Sequence, residues 1–185
     1  MEKLKRHSIR LKDFDYSQSW WYYVTICINN HIELLGEIKN NEMVLNKFGK
    51  LVDEEWNKTK IIRCNIELDY YVIMPNHLHG IIIIDNAAVG ATRRVAQKIS
   101  PTERAIEPIA PTLKPNSLGS IIGQFKSVTT KRIRKAGLIE FEWQRNYYDR
   151  IIRNEEELYN IRKYIQQNPL KWEVEKSTPE NLDVI

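Results

Sequence analysis

Residues 20–28 (WWYYVTICI) are dense in aromatic and β-branched side chains, the pattern of a strand. Residues 34–38 and 43–45 flank Lys39-Asn40-Asn41-Glu42, which predicts a short hairpin. From Asn46 the period changes. Phe48, Leu51, Val52 and Trp56 recur every three or four positions, the mark of an amphipathic helix capped by Asn46 and ending near Lys60. Residues 65–74 and 77–84 read as two longer strands, and the tight turn at Pro75-Asn76 makes them an antiparallel pair. A second helix starts at its cap, Ser117, carries the stripe Leu118, Ile121, Ile122, Phe125, Val128 and Ile133, and stops at Gly137. Residues 140–152 read as extended. Asn154 then opens a last helix, with Glu155, Glu156 and Glu157 at its positive end, and Asn168-Pro169 is expected to close it.

The order strand, hairpin, helix, strand, strand, helix, strand, helix alternates element types around an antiparallel central pair. This predicts an α+β sandwich, with helices packed on a mostly antiparallel central sheet. With the hairpin and final helix set aside, βαββαβ remains, the split-βαβ or ferredoxin-like plan. Residues 86–116 show no period and hold Pro101, Pro108, Pro111 and Pro115, four of the seven prolines, so they read as a Pro-rich linker. The expected organisation is a basic arm over 1–18, a single domain over 19–172 and a tail over 173–185.

Composition narrows the class. A chain of 185 residues and 21.9 kDa fits one domain, and 42% hydrophobic residues supply a core. No apolar run approaches the ~20 residues of a spanning helix. The charged opening MEKLKRHSIRLKDF lacks the apolar stretch of a secretory signal. Cys27 and Cys64 are too few for a disulfide framework or a thiolate zinc site. A cytoplasmic protein with no membrane partner is the expectation. The net charge is only +4, but residues 93–135 hold ten Lys and Arg against Glu103 and Glu107. Such asymmetry fits a segment facing a polyanion, or equally a solvated basic helix.

The strongest chemical signal is Pro75-Asn76-His77-Leu78-His79-Gly80. On a strand, residues i and i+2 share a face, so both imidazoles enter one small volume. Two neutral imidazoles form half of a divalent-metal site. Leu78 faces the other side, and Ile81 to Ile84 is apolar on both faces, as in a central, rigid strand. Strand-end histidines satisfied by backbone partners would give the same motif.

In the last helix, Leu158, Ile161 and Ile165 form the buried stripe, with Tyr164 and Asn168 one turn apart on its flank. A tyrosine oxygen is a competent nucleophile for phosphorus and leaves a covalent phosphotyrosine. A metal held by the strand would polarise the phosphate. A tyrosine in this position also suits a core edge, with its ring packed and its hydroxyl wet, and Tyr147, Tyr148 and Tyr159 are rival nucleophiles.

PNHLHGIIII, WQRNYYDRIIRNEEEL and YIQQNP, with the opening RLKDFDYSQSWWYYVTICINN and GEI, together resemble the single-tyrosine HUH transposases, in particular the REP-associated tyrosine transposase branch. The resemblance spans most of residues 8–172. It implies that His77 and His79 bind Mg²⁺ or Mn²⁺, with Asn168 completing the metal shell through its side-chain oxygen. It further implies that Tyr164 attacks a phosphate of single-stranded or hairpin-flanked DNA, forming a 5′-phosphotyrosine that allows cleavage and rejoining. Relatives include monomers and dimers that exchange the tyrosine helix; a monomer is the expectation here and a homodimer the alternative.

Trp143, Tyr147 and Tyr148 interleave with Arg145, Arg150 and Arg153, a mixture suited to stacking unpaired bases and neutralising phosphates. Lys126, Lys131, Arg132, Arg134 and Lys135 make the C-terminal half of the second helix basic and are expected to border the DNA groove. The arm adds Lys3, Lys5, Arg6, Arg10 and Lys12 as further phosphate contacts. Two other readings compete: a catalytically silent single-stranded or hairpin nucleic-acid-binding module of the same fold, and a small metal hydrolase. The second lacks an identifiable water-activating base.

Overall fold

Strand β1 (Trp20–Cys27) lies between β5 (His77–Ile84) and β6 (Tyr148–Ile151), with β4 (Ile66–Ile73) on the far side of β5. All neighbours in this four-stranded sheet are antiparallel. The computed structural model describes residues 14–87 and 115–177. Most of the expected linker with Arg93, Arg94, Lys98, Arg104 and Lys114, the arm cations Lys3 to Lys12 and residues 178–185 lie outside the described residues.

Helices α1 (Lys47–Ile62) and α2 (Leu118–Lys135) complete βαββαβ, the expected ferredoxin-like sandwich. Strands β2 (Gly36–Lys39) and β3 (Glu42–Leu45) form the expected hairpin as a separate two-stranded sheet. Its turn residues Asn40 and Asn41 have φ of 53° and 62°, the left-handed pair that a two-residue hairpin loop requires. Of the segment 140–152, only β6 and an isolated bridge between Ile28 and Trp143 pair as β-structure.

The alternation along the central strands decides the layers. Tyr22, Val24 and Ile26 of β1 and Leu78, Ile82 and Ile84 of β5 pack with Val52 and Trp56 of α1 and Ile121, Ile122 and Phe125 of α2. The opposite parity, Trp21 and Tyr23 with Ile81, packs against Leu158, Ile161 and Ile165 of α3 (Glu155–Ser177). One sheet face therefore carries two helices and the other carries α3. Gly80 allows the close approach on the two-helix face: a Cβ there would run into the ring of Trp56. Phe14 and Tyr16 pack edge-on against that core, so the end of the segment read as an arm is part of the domain wall.

Local signals match the helix starts. Asn46 Oδ1 accepts from the N–H groups of Phe48 and Gly49 at 2.8 and 3.0 Å, and Ser117 Oγ from Ser120 at 3.3 Å. Asn154 Oδ1 accepts from Glu157 N–H at 2.8 Å, while Glu157 accepts from Arg153 N–H at 2.8 Å. The end of α3 departs from expectation: the helix continues through Pro169 to Ser177. Proline inside a helix costs about 3 kcal/mol, and here the extra turns carry Trp172 onto His77, ring centroids 5.7 Å apart. No helix among the described residues is long and apolar enough to cross a membrane.

Candidate active site

His77 and His79 project from β5 toward α3 because Leu78 between them fills the two-helix core. Their Nε2 atoms face each other at 2.9 Å. Each ring is held from behind. Asn76 Oδ1 lies 2.6 Å from His77 Nδ1, and an amide oxygen only accepts, so that nitrogen donates and Nε2 keeps its lone pair. Nδ1 of His79 is 2.7 Å from the Tyr23 hydroxyl and 2.8 Å from Thr25 Oγ1. Both hydroxyls come from β1, whose register sets Thr25 directly opposite His79.

Burial, reinforced by His31, lowers the His77 pKa to about 4, and burial with His77 nearby holds His79 well below its ordinary value. Both rings are thus neutral at pH 7. Burial also pushes the Tyr23 phenol far above its usual range, so it stays protonated.

Helix α3 brings its expected residues to the same place. The Tyr164 ring lies 5.3 Å from that of His79 and 6.5 Å from that of Tyr23, both in edge-on contact. Asn168 is buried one turn later, between Tyr164 at His79 and Trp172 at His77. Lys171 places its ammonium 5.1 Å from the centre of the Tyr164 ring. A cleft of about 780 Å³ opens here, lined by Thr25, His79, Tyr148, Arg150, Arg153 and Tyr164 among others.

The donor set suits a divalent cation. Asn76 leaves His77 Nε2 with its lone pair 2.9 Å from His79 Nε2. With a Tyr23 or Thr25 hydroxyl donating to His79 Nδ1 the contact is an N–H···N hydrogen bond; with His79 Nδ1 donating instead, both lone pairs point at one spot that a cation can occupy. Among the described residues no three His, Cys, Asp or Glu side chains cluster as metal ligands. Asn168, whose amide oxygen is a donor of another type, is buried one turn from Tyr164 on the helix that faces both histidines.

The expected DNA-contacting residues divide. Arg150 and Arg153 line the cleft, and Arg150 pairs with Glu157 at 2.5 Å. Arg145 is exposed and Tyr147 packs partly against the core. Helix α2 does not border the cleft: its apolar stripe packs on the opposite sheet face, so Lys131 and Lys135 are exposed away from Tyr164. Lys126 spends its ammonium on the carbonyls of Gln144, Arg145 and Asn146, and Arg132 binds Glu54 and Glu55 at 2.7 and 2.5 Å. Arg134 bonds the Phe141 carbonyl and Glu142. Trp143 is a core residue, not a stacking surface; it is buried and donates from Nε1 to Thr129 Oγ1 at 2.9 Å.

Sequence reasoning missed Tyr23, Thr25, Asn76, Lys171 and Trp172. Asn76 adjoins the motif and was visible there. Lys171 and Trp172 follow Tyr164 at seven and eight residues, a spacing that shares a helix face once the helix is allowed past Pro169.

No family model matches the chain. An uncharacterized protein of Haemophilus influenzae is 39% identical over 168 residues, covering 91% of this chain and 90% of its own. The chain belongs to the same family as that protein. Among solved structures, a REP-associated tyrosine transposase bound to a REP hairpin superposes with a TM-score of 0.53 at 18% identity, covering 93% of this chain and 74% of its own. The two share the fold, as the residue pattern predicted.

Proposed function

We propose that the protein is a transposase-type endonuclease that cleaves and rejoins single-stranded, hairpin-flanked DNA through Tyr164. The observation that carries this reading is the edge-on contact, 5.3 Å between centroids, of a helix-borne phenol and a paired, neutral histidine in a cleft with two arginines. The transposase of the same fold was solved with a REP hairpin, which supports hairpin DNA as the substrate class.

Tyr164 Oη attacks the scissile phosphorus, the bond to the 3′ oxygen breaks, and the 5′ phosphate stays on the tyrosine. The phenol proton leaves through solvent, and the released 3′ oxygen takes up a proton. Attack by another 3′-hydroxyl on the phosphotyrosine reverses these transfers and joins strands without an external energy source. His77, His79 and Asn168 would hold Mg²⁺ or Mn²⁺, which supplies charge neutralisation at the phosphate oxygens. Asn76 fixes the tautomer of His77, and Tyr23 and Thr25 fix the orientation of His79. Lys171, over the Tyr164 ring, favours negative charge on the phenol oxygen, and Arg150 and Arg153 receive the strand. One chain supplies both histidines and the tyrosine, so no helix exchange is needed and a monomer suffices.

Incubation with single-stranded genomic fragments and Mn²⁺ should yield a DNA adduct that survives SDS and identifies the captured phosphate on sequencing. Tyr164→Phe should abolish the adduct while DNA affinity changes little. An adduct that persists in Tyr164→Phe, or DNA retention by the parent with no adduct at all, would defeat the reading; the second result would leave a silent binding module.

A further inference from the structure

A second cleft, of about 850 Å³, adjoins the first at the Trp20 end of β1, and Arg153 and Asn154 line both. Its chemistry is different. Trp20 is 42% exposed yet fixed, because its Nε1 donates to the Ile152 carbonyl at 2.8 Å. Trp21 lies under Arg162, whose guanidinium carbon is 5.8 Å from the ring centre and which Asp69 anchors at 2.7 Å. Tyr159, from α3, is 65% exposed. Trp21 also packs against α3, but the Trp20 and Tyr159 rings stay exposed at the cleft, and exposed rings are the usual platform for unpaired bases.

The lining is balanced rather than basic. Asp85 and Glu155 stand with Arg153 and Arg162, Arg162 is paired with Asp69, and the carboxylates can accept hydrogen bonds from base amines. Position argues for the same strand that reacts. Trp21 precedes Thr25 by four residues of β1, roughly 13 Å at the rise of a strand, so DNA leaving Tyr164 past Arg153 reaches the aromatic cleft within a few nucleotides.

We propose that the Trp20–Trp21–Tyr159 cleft binds one unpaired nucleobase of the substrate strand, a few nucleotides from the phosphate at Tyr164, by stacking. This inference rests on the proposed function. It adds a base-binding subsite beside the catalytic cleft.

The test uses the strand captured by the parent chain. Single abasic substitutions are walked through six nucleotides on each side of the captured phosphate, and affinity is measured with full-length Tyr164→Phe protein. One position should lose roughly ten-fold or more when its base is removed. Adding Tyr159→Ala, which trims an exposed ring, should cut that position's loss to about two-fold or less; Trp20→Ala, checked for folding by thermal melting, should do the same. A flat abasic profile, or a loss that both variants leave intact, overturns the subsite while adduct formation by the parent keeps the function. Conversion of a dimer to a monomer by these variants would also overturn it, by making the patch a protein interface. Absence of any parent adduct would fail the function and the subsite together.

Discussion

Thr25 and His79 face each other across the β1–β5 pair, and the threonine hydroxyl oxygen lies 2.8 Å from His79 Nδ1. Tyr23, two residues earlier and on the same face, adds its hydroxyl at 2.7 Å. The ring is therefore oriented by two groups that never need to touch a cation or DNA.

This arrangement predicts a graded effect on metal affinity. Thr25→Val keeps the shape and leaves Tyr23 as the remaining partner, so Mn²⁺ affinity should fall modestly. The double variant Tyr23→Phe/Thr25→Val should lose roughly 10- to 100-fold, the usual effect of removing the partners behind a ligating histidine. Calorimetric titration of each protein with Mn²⁺ checks this. Equal affinity in parent and double variant would mean that Nδ1 needs no orientation.

The two sets of arginines should separate stability from DNA binding. Arg132 binds the buried Glu55 carboxylate, which Lys58 also holds at 2.8 Å. Burial alone would raise the Glu55 pKa, but the hydrogen bonds from Lys58 and Arg132 outweigh it and keep the carboxyl below its ordinary value. Arg132→Ala leaves Lys58 in place, so the expected loss is about 1–2 kcal/mol, a melting-temperature drop of roughly 3–6 °C. Its salt dependence of DNA binding should match the parent's. Arg153→Ala, an exposed cleft residue, should do the opposite: unchanged melting, and a shallower dependence of log affinity on log salt by about 0.7 for a single strand.

Gly80 links the two faces of the sheet. It follows His79 directly, and the Trp56 ring occupies the space a Cβ would need. Gly80→Ala must displace the buried indole or the strand, and overpacking of this kind costs about 1–3 kcal/mol. Thermal melting should show the loss. Because the strand carries both histidines, Mn²⁺ affinity should fall as well, which a surface substitution such as Ile61→Ser should not reproduce.

Most of this frame is readable from residues. The parity of 20–28 separates Tyr22, Val24 and Ile26 from Trp21, Tyr23 and Thr25, and the i, i+2 histidines with Leu78 between them fix which face holds the chemistry. The cross-strand register is not readable, because nothing in 20–28 says which residue will oppose His79. The placement of the basic helix away from the Tyr164 cleft was unreadable for a different reason. Its stripe shows that α2 packs but not on which face. The handedness of crossovers supplies the missing step: β1 to β4 and β5 to β6 are both parallel connections, and right-handed paths place α1 and α2 on one face, away from Tyr164. Pro169 misled because local helix preference was weighed without the contact between Trp172 and His77.

Acid should destabilise the metal-free protein through His77. In the folded state burial depresses its pKa from 6.5 to about 4, whereas the unfolded chain titrates near the ordinary value. Between these two values the unfolded state binds the extra proton, so stability rises with pH across the window and is lost as pH falls from about 6.5 toward 4. A shift of that size corresponds to roughly 3 kcal/mol over the whole window. His77→Gln, which cannot titrate and keeps a polar end beside Asn76, should make the profile shallower by the His77 share, leaving the dependence from His79, which burial also holds well below its ordinary value. Urea unfolding in the presence of a chelator at pH 4.5, 5.5, 6.5 and 7.5 measures both curves. Parallel profiles for parent and variant would show that the buried imidazole takes up its proton in the folded protein, and would remove the argument that two neutral rings stand ready to share a cation.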